Sequence, residues 1–237
     1  MAVLFVSDIH LSNQRPDIVR AFLDFLATKA TEADRLYILG DLFEAWIGDD
    51  DPSSLASDVK IALKELSDTG VNVFIQHGNR DFTLGKRFLS ETDAQLISDE
   101  YILEYNQTSA LLMHGDSLCT DDVDYQRFRK KSRHPLYLWF LTHLPLRMRQ
   151  RVAAKWRRQS QQANRNKPSE IMDVNAEAVA TVIDKHQVRF LVHGHTHRPF
   201  YHKEDGFERI VLGDWDKDAW CLTLDKTGFN LESWQIL

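Results

Sequence analysis

The stretch AVLFVSDIH, residues 2–10, is a short apolar run that stops at the polar pair Asp8-x-His10. Such a run reads as a buried strand whose carboxyl end carries polar groups. The same design returns twice. Residues 36–39 form a second apolar run, ending at Gly40-Asp41, and residues 71–76 a third, ending at His77-Gly78-Asn79. Between the first two runs, Ile18, Ala21, Phe22, Phe25 and Leu26 recur at helical spacing within residues 17–30. Residues 55–66 read as a second helix that stops near Gly70, since glycine ends helices readily. Strand, helix, strand, helix, strand implies parallel pairing in an α/β fold. In open α/β sheets, sites gather at the carboxyl ends of the strands, where the polar clusters stand here.

Outward from that unit, residues 108–113 read as another strand, ending at His114-Gly115-Asp116. Pro135 and Pro145 then break a basic segment into short helical pieces. Residues 147–165 carry Met148, Val152 and Trp156 four apart, one apolar stripe on an otherwise basic helix. Residues 171–186 read as a helix, and residues 189–192 as a strand ending at His193-Gly194-His195-Thr196-His197. The last forty residues alternate short apolar runs with turns at Asp205-Gly206, Gly213-Asp214 and Thr227-Gly228, a run of strands. The expected organisation is one α/β core, residues 1–121 and 169–237, interrupted by a helical insertion at 122–168.

Composition narrows the class. At 237 residues, 43% hydrophobic and 27% charged, the chain can bury a sizeable core and is not a disordered sequence. Cys119 and Cys221 make no CxxC and no disulfide framework, which favours a reducing compartment. The apolar run before Asp8 is too short for a signal-peptide core, and residues 136–141 are too few to span a bilayer. A cytoplasmic protein is expected, or one lying on a membrane surface. The net charge of −6 hides an asymmetry. Residues 125–169 hold 13 Lys or Arg and no Asp or Glu, whereas the remainder holds 16 basic and 35 acidic residues. That segment is either a solvated helical face or a site for phosphate, nucleic acid or anionic lipid.

Taken singly, each polar cluster is weak. Asp-x-His and Gly-Asp are ordinary turn chemistry, and a lone His is more often a hydrogen-bonded core residue. Gly-His-x-His is better, because residues two apart on extended chain share a face. Chance does not place Asp, His, Asp, Asn, His, His and His at the ends of successive strands. Mixed carboxylate, imidazole and carbonyl donors suit Mn²⁺, Fe²⁺ or Zn²⁺. Two such ions roughly 3.5–4 Å apart activate water against phosphorus and neutralise the developing charge.

The order Asp8-x-His10, Gly40-Asp41, Gly78-Asn79-Arg80-Asp81, His114 and Gly194-His195-x-His197 resembles the calcineurin-like metallophosphoesterases. The resemblance implies a sandwich of mixed β-sheets flanked by helices. It also implies two divalent ions: one held by Asp8, His10 and His197, the other by Asn79, His114 and His195, with Asp41 bridging. One position departs from the broad family, which has His after the Gly-Asn, where it helps protonate a leaving alkoxide. Arg80 stays charged and cannot be a general acid, but it can clamp a phosphate bidentately. That favours a pyrophosphate, whose leaving group needs no strong acid.

Longer strings resemble one branch of that family, the UDP-2,3-diacylglucosamine diphosphatases of lipid A synthesis. They are VLFVSDIHLS, ILGDLFEAWIGDDDP, GNRDF, HGDSLCTDDVDYQRFR, IMDVN and VHGHTHRP. The resemblance implies hydrolysis of UDP-2,3-diacylglucosamine to UMP and 2,3-diacylglucosamine 1-phosphate (lipid X), with water attacking the α-phosphorus. It implies Mn²⁺ as the metal, a monomer, a helical cap over the site, and peripheral attachment to the cytoplasmic face of the inner membrane. Asp41, Asn79, Arg80, His114 and His195 take the catalytic positions. Asn79, Arg80, Asp122, Ser160, Asn164, Lys167 and His195 take substrate-binding positions, with Tyr125 in the same stretch. The residues 136–141, with Leu144 and Leu146, are either the cap's own small core or a lining for acyl chains beside basic residues facing anionic head groups. Trp46 is expected only to pack near the Asp41 loop. Two alternatives stand beside this reading. A nuclease would use the basic segment on a nucleic-acid backbone, against which stand the apolar residues within it, Arg80 and the acidic remainder. A scaffold with a dead site is disfavoured because all seven expected ligands are present.

Overall fold

Each strand end anticipated above is found in the computed structural model. It describes residues 2–166, 171 and 173–237, with backbone alone at 160, 161 and 163–166. The first half comprises β1 (Val3–Val6), α1 (Pro16–Ala27), β2 (Arg35–Leu39), α2 (Ser54–Asp68), β3 (Asn72–Gln76), α3 (Lys86–Thr92) and β4 (Gln95–Leu96). Next come β5 (Tyr101–Tyr105), β6 (Thr108–Met113), α4 (Val123–Ser132), α5 (Pro135–His143), α6 (Leu146–Asn166) and α7 (Ala176–His186). The chain closes with β7 (Phe190–His193), β8 (Phe200–Lys203), β9 (Glu208–Val211), β10 (Asp218–Asp225) and β11 (Gly228–Gln235).

The helix starts follow local chemistry. Pro16 and Pro135 open α1 and α5, where a missing N–H costs nothing. The Ser53 hydroxyl accepts from the Ala56 N–H at the start of α2. The helix expected from residue 171 begins instead at Ala176, because the Asn175 side chain accepts from the N–H groups of Glu177 and Ala178 and fixes the start there.

Two mixed sheets stack face to face. One has the order β11-β10-β1-β2-β3-β4 and the other β5-β6-β7-β9-β8. Val3, Phe5, Tyr37 and Leu39 of the first sheet meet Leu103, Leu112, Val192 and Ile210 of the second in a dry layer. The opposite face of the first sheet, with Leu4, Val6, Leu36 and Ile38, packs on α1, α2 and α3 through Phe22, Phe25, Leu63 and Phe88. Val179 and Val182 of α7 cover Leu111 and Leu191 on the outer face of the second sheet. Strand β1 is buried on both faces, which is why its sequence is a continuous apolar run and not an alternation.

Register then positions the site. Parallel pairing sets Val6 opposite Ile38 and Leu39 opposite Gln76, so the loops after β1, β2 and β3 emerge side by side. In the second sheet Met113 pairs with His193 and brings the loops after β6 and β7 to the same edge. Helices α4 to α6 follow β6 in the chain and line a cavity together with residues of the loops after β2 and β3. Cys119 and Cys221 are both buried. No helix among the described residues is long and apolar enough to cross a membrane.

Candidate metal centre and its pocket

Five residues at this edge hold a left-handed backbone: Asp8 (φ 53°), His10 (φ 55°), Asp41 (φ 52°), His195 (φ 68°) and His197 (φ 56°). Non-glycine residues avoid that region, at roughly 1–3 kcal/mol each, and such outliers cluster where function demands a side-chain direction. The loops are held there by close contacts. A Cβ at Gly78 would stand 2.1 Å from Asp41 Oδ1, and one at Gly194 would stand 2.2 Å from Asp8 Oδ2, so neither position admits a larger residue. Asp81, buried, accepts N–H bonds from Leu42 at 2.7 Å and Gly78 at 2.8 Å and locks the second loop to the third.

Two sets of donor atoms converge. Asp8, His10 and His197 form one, and Asp8, Asp41 and His114 the other, all ligand atoms of each set lying within 4.8 Å of one another. Asn79 joins the second set, with Oδ1 3.0 Å from His114 Nε2. His114 Nδ1 contacts the Leu39 carbonyl at 2.9 Å, an atom that only accepts, so Nδ1 carries a proton and Nε2 is the nitrogen turned to the cluster. His195 belongs to neither set. Its N–H donates to Asp8 Oδ2 at 2.8 Å and its ring packs on His114 with centroids 5.0 Å apart.

The electrostatics call for a cation. Burial pushes the Asp41 carboxyl up to about 7, and the nearby Asp81 and Asp8 carboxylates add to the effect. Burial also opposes ionisation of Asp8, but the adjacent His197 and the neighbouring imidazoles outweigh it and hold Asp8 well below the usual range. Burial holds His10 and His195 down at about 3, so both are neutral, as ligands must be. Burial works against charge on His197 too, yet Asp214 and Asp8 on either side push it up to about 10. Asp8 Oδ1 is buried and forms no aligned hydrogen bond, although His197 Nε2 stands 3.3 Å away. His10 Nε2 and His197 Nε2 face each other at 3.3 Å. Imidazoles and buried carboxylates converging on one point, with an Asp8 oxygen that forms no aligned hydrogen bond, are the donor set of a divalent ion, and these residues fit one.

Residues 1–199 match the family described as calcineurin-like phosphoesterase. The chain belongs to that family. Among its relatives, the UDP-2,3-diacylglucosamine hydrolase of Pseudomonas syringae pv. syringae is 50% identical, covering 99% of this chain and 96% of its own. The UDP-2,3-diacylglucosamine hydrolase of Azotobacter vinelandii is 47% identical over the whole of both chains. A solved archaeal phosphodiesterase shares the fold at a TM-score of 0.51 and 13% identity, covering 99% of this chain and 100% of its own. The mixed-sheet sandwich and divalent metal binding are therefore properties of this phosphoesterase.

A cavity of about 760 Å³ runs from Asn79 and Arg80 to the helices above. Its apolar walls come from Phe128 of α4, Leu141 of α5, Val152, Ala153 and Trp156 of α6, and Trp46, Ile47 and Phe82 of the core. Trp46 thus does more than pack: it meets Phe43 at a tilt and Phe88 edge-on, and it also lines the cavity. Of the apolar residues 136–141 only Leu141 is buried against this phosphoesterase's core and lines the cavity, whereas Leu136, Trp139 and Phe140 are 73%, 61% and 59% exposed. Those three face outward and are neither a core nor a wall of this cavity.

Asp122 lines the cavity and caps α4 by accepting from the Tyr125 N–H. Tyr125 stacks on His195, but its hydroxyl donates to buried Asp116 at 2.5 Å. Asp116 also accepts from Arg129 Nε at 2.8 Å and faces Arg133 Nη2 at 3.4 Å, tying α4 to the edge of the core. Arg149 reaches the Ile47 carbonyl at 2.7 Å and pairs with Asp50. Arg129, Arg133 and Arg149 of the basic segment are thus paired with carboxylates of the core. The side chains of Ser160 and Asn164, and the whole of Lys167, lie outside the described residues. Sequence reasoning gave no role to Glu44, Asp116 or Asp214. Acidic residues in turns are common, and the partners of these three are distant in the chain.

Proposed function

We propose that this phosphoesterase hydrolyses the pyrophosphate bond of UDP-2,3-diacylglucosamine, releasing UMP and 2,3-diacylglucosamine 1-phosphate, in lipid A biosynthesis. The observation that carries the reading is the joining of two acid–imidazole donor sets to an apolar-walled cavity by Asn79 and Arg80. The near-full-length relatives named for that activity support it. Asp8, His10 and His197 would hold one divalent ion, Asn79, His114 and His195 the other, and Asp41 would serve both, with Mn²⁺ suited to the mixed donors. When bound, the ions supply an activated water and neutralise phosphoryl charge. Arg80, whose Nε is buried without a hydrogen bond, takes a phosphate oxygen. With no acid at this position, the lipid phosphate leaves as an anion.

Residues 122–168 act as a cap that chooses the lipid. The outward Leu136, Trp139, Phe140 and Met148, beside Lys and Arg of α4 and α6, rest a monomer on the cytoplasmic face of the inner membrane. The acidic remainder of the chain and the apolar residues within the basic segment disfavour nucleic acid. Mass spectrometry of lipid retained by the purified protein tests the substrate class: a diacylglucosamine phosphate is expected, and a nucleic-acid fragment in its place would contradict the reading.

Ala153 faces the cavity on α6, a position where a larger side chain costs no helix. Ala153→Trp is expected to raise KM for the diacylated substrate at least about tenfold, because even part of one acyl chain is worth more than 1.4 kcal/mol at about 25 cal/mol per Å². Slow hydrolysis of a chromogenic phosphodiester should change much less. Equal losses on both substrates would mean that the cap supports the centre and does not choose the lipid.

A further inference from the structure

Glu44 stands where three parts of the molecule meet. Its Oε1 accepts from Arg80 Nη1 at 2.7 Å and pairs with Arg157 Nη2 at 2.8 Å. Its Oε2 faces His10 Nδ1 at 3.3 Å. Arg80 follows β3, Arg157 belongs to α6 and His10 follows β1, so one carboxylate touches two loops of the core and the helix that covers them. The side chain is only 13% exposed, and it lines the cavity together with both arginines. His10 Nδ1 is buried and forms no aligned hydrogen bond, which leaves Glu44 Oε2 as the acceptor it faces among the described residues. The other ring nitrogen, Nε2, points to His197 within the Asp8 donor set.

We propose that Glu44 is a positioning residue: held by Arg80 and Arg157, it fixes the tautomer of His10 that presents a lone pair to the metal. The proposal rests on the reading of His10 as a ligand. A neutral imidazole has one N–H, and a carboxylate only accepts. Oε2 therefore draws the proton to Nδ1 and leaves Nε2 free to ligate. Guanidinium groups only donate, so Arg80 and Arg157 claim Oε1 and keep Oε2 turned to the ring.

This arrangement makes the conservative substitution the damaging one. In Glu44→Gln the two guanidiniums hold the amide oxygen, and the amide NH₂ is left facing His10 Nδ1. A donor there demands a lone pair on Nδ1 and moves the proton to Nε2, the ligating atom. Glu44→Ala leaves space for a water, which can accept from Nδ1–H and spare the tautomer. A residue that served only to fill space would show the opposite order.

Mn²⁺ is titrated into the metal-stripped full-length protein without substrate, and free Mn²⁺ is read by electron paramagnetic resonance. Glu44→Gln is expected to weaken the affected site about 10–100-fold, and Glu44→Ala by less. In the metal-free wild type, ¹⁵N shifts of the His10 ring should show the proton on Nδ1, a measurement that needs no variant to fold. In Glu44→Gln the proton should move to Nε2. A proton on Nε2 in the wild type, wild-type Mn²⁺ affinity in Glu44→Gln, or weaker binding by Glu44→Ala than by Glu44→Gln would overturn the proposal. Failure of the wild type to bind Mn²⁺ would instead overturn the metal reading on which it rests.

Discussion

Replacing Asp41 by alanine is expected to lower kcat by about 10³-fold, roughly 4 kcal/mol of transition-state stabilisation, while the fold survives. Both halves of that expectation come from the same carboxylate. Asp41 Oδ1 accepts the Arg80 N–H at 2.8 Å and lies 3.8 Å from His114 Nε2, so its loss removes the donor shared by the second set and by the Arg80 loop. Without metal, however, its charge is a burden. Burial raises the carboxyl from 3.8 to about 7 in the folded protein. An acid that binds its proton more tightly when folded takes stability away as pH rises from about 4 through 7. At neutral pH the metal-stripped Asp41→Ala protein should therefore be at least as stable as the stripped wild type, and the gap should close toward pH 4. Thermal unfolding with and without chelator checks this, since added Mn²⁺ should raise the wild-type Tm and raise that of the variant much less. Near-normal turnover by Asp41→Ala in metal-buffered assays would remove Asp41 from the centre.

Arg80→Lys is expected to lower kcat/KM by about 10²-fold, the scale of losing one preorganised donor to a developing oxyanion. The guanidinium is held at 2.7 Å by Glu44 and stands with Nε 3.6 Å from Asp41 Oδ2, so it is aimed before any phosphate arrives. A lysine ammonium is a point charge on a flexible stem and cannot hold Glu44 and a phosphate oxygen in one plane. Arg80→His should impair pyrophosphate cleavage as well, because a neutral ring loses the clamp. Unchanged kcat/KM in Arg80→Lys would show that charge alone suffices and that the bidentate role is wrong.

The strand ends of the first sheet were legible because the signal is local. A run such as Val3–Val6 buried on both faces must be apolar, and it must stop where Asp8 turns the chain. Strand β6 was found for the same reason. Strands β4 and β5 were missed: Gln95–Leu96 is two exposed residues, and Tyr101–Tyr105 buries only Leu103. The metal ligands stood out because they follow those runs. Their supports did not. Asp81 acts by accepting backbone N–H groups from other loops, Asp214 by touching the far side of His197, and Glu44 by meeting an arginine of α6, none of which leaves a periodic mark. The apolar residues 136–141 show the limit of composition. Their hydrophobicity was plain, but the direction each side chain takes depends on how α5 packs: Leu141 is buried, Tyr137 stacks on Trp156, and Leu136, Trp139 and Phe140 face outward.

Hydrolysis of UDP-2,3-diacylglucosamine in ¹⁸O-labelled water, with both products weighed by mass spectrometry, tests the proposed reaction most directly. The expected result is metal-dependent formation of UMP and 2,3-diacylglucosamine 1-phosphate, with one ¹⁸O in UMP and none in the lipid phosphate. Label in the lipid phosphate, or intact substrate in the presence of Mn²⁺, would contradict it.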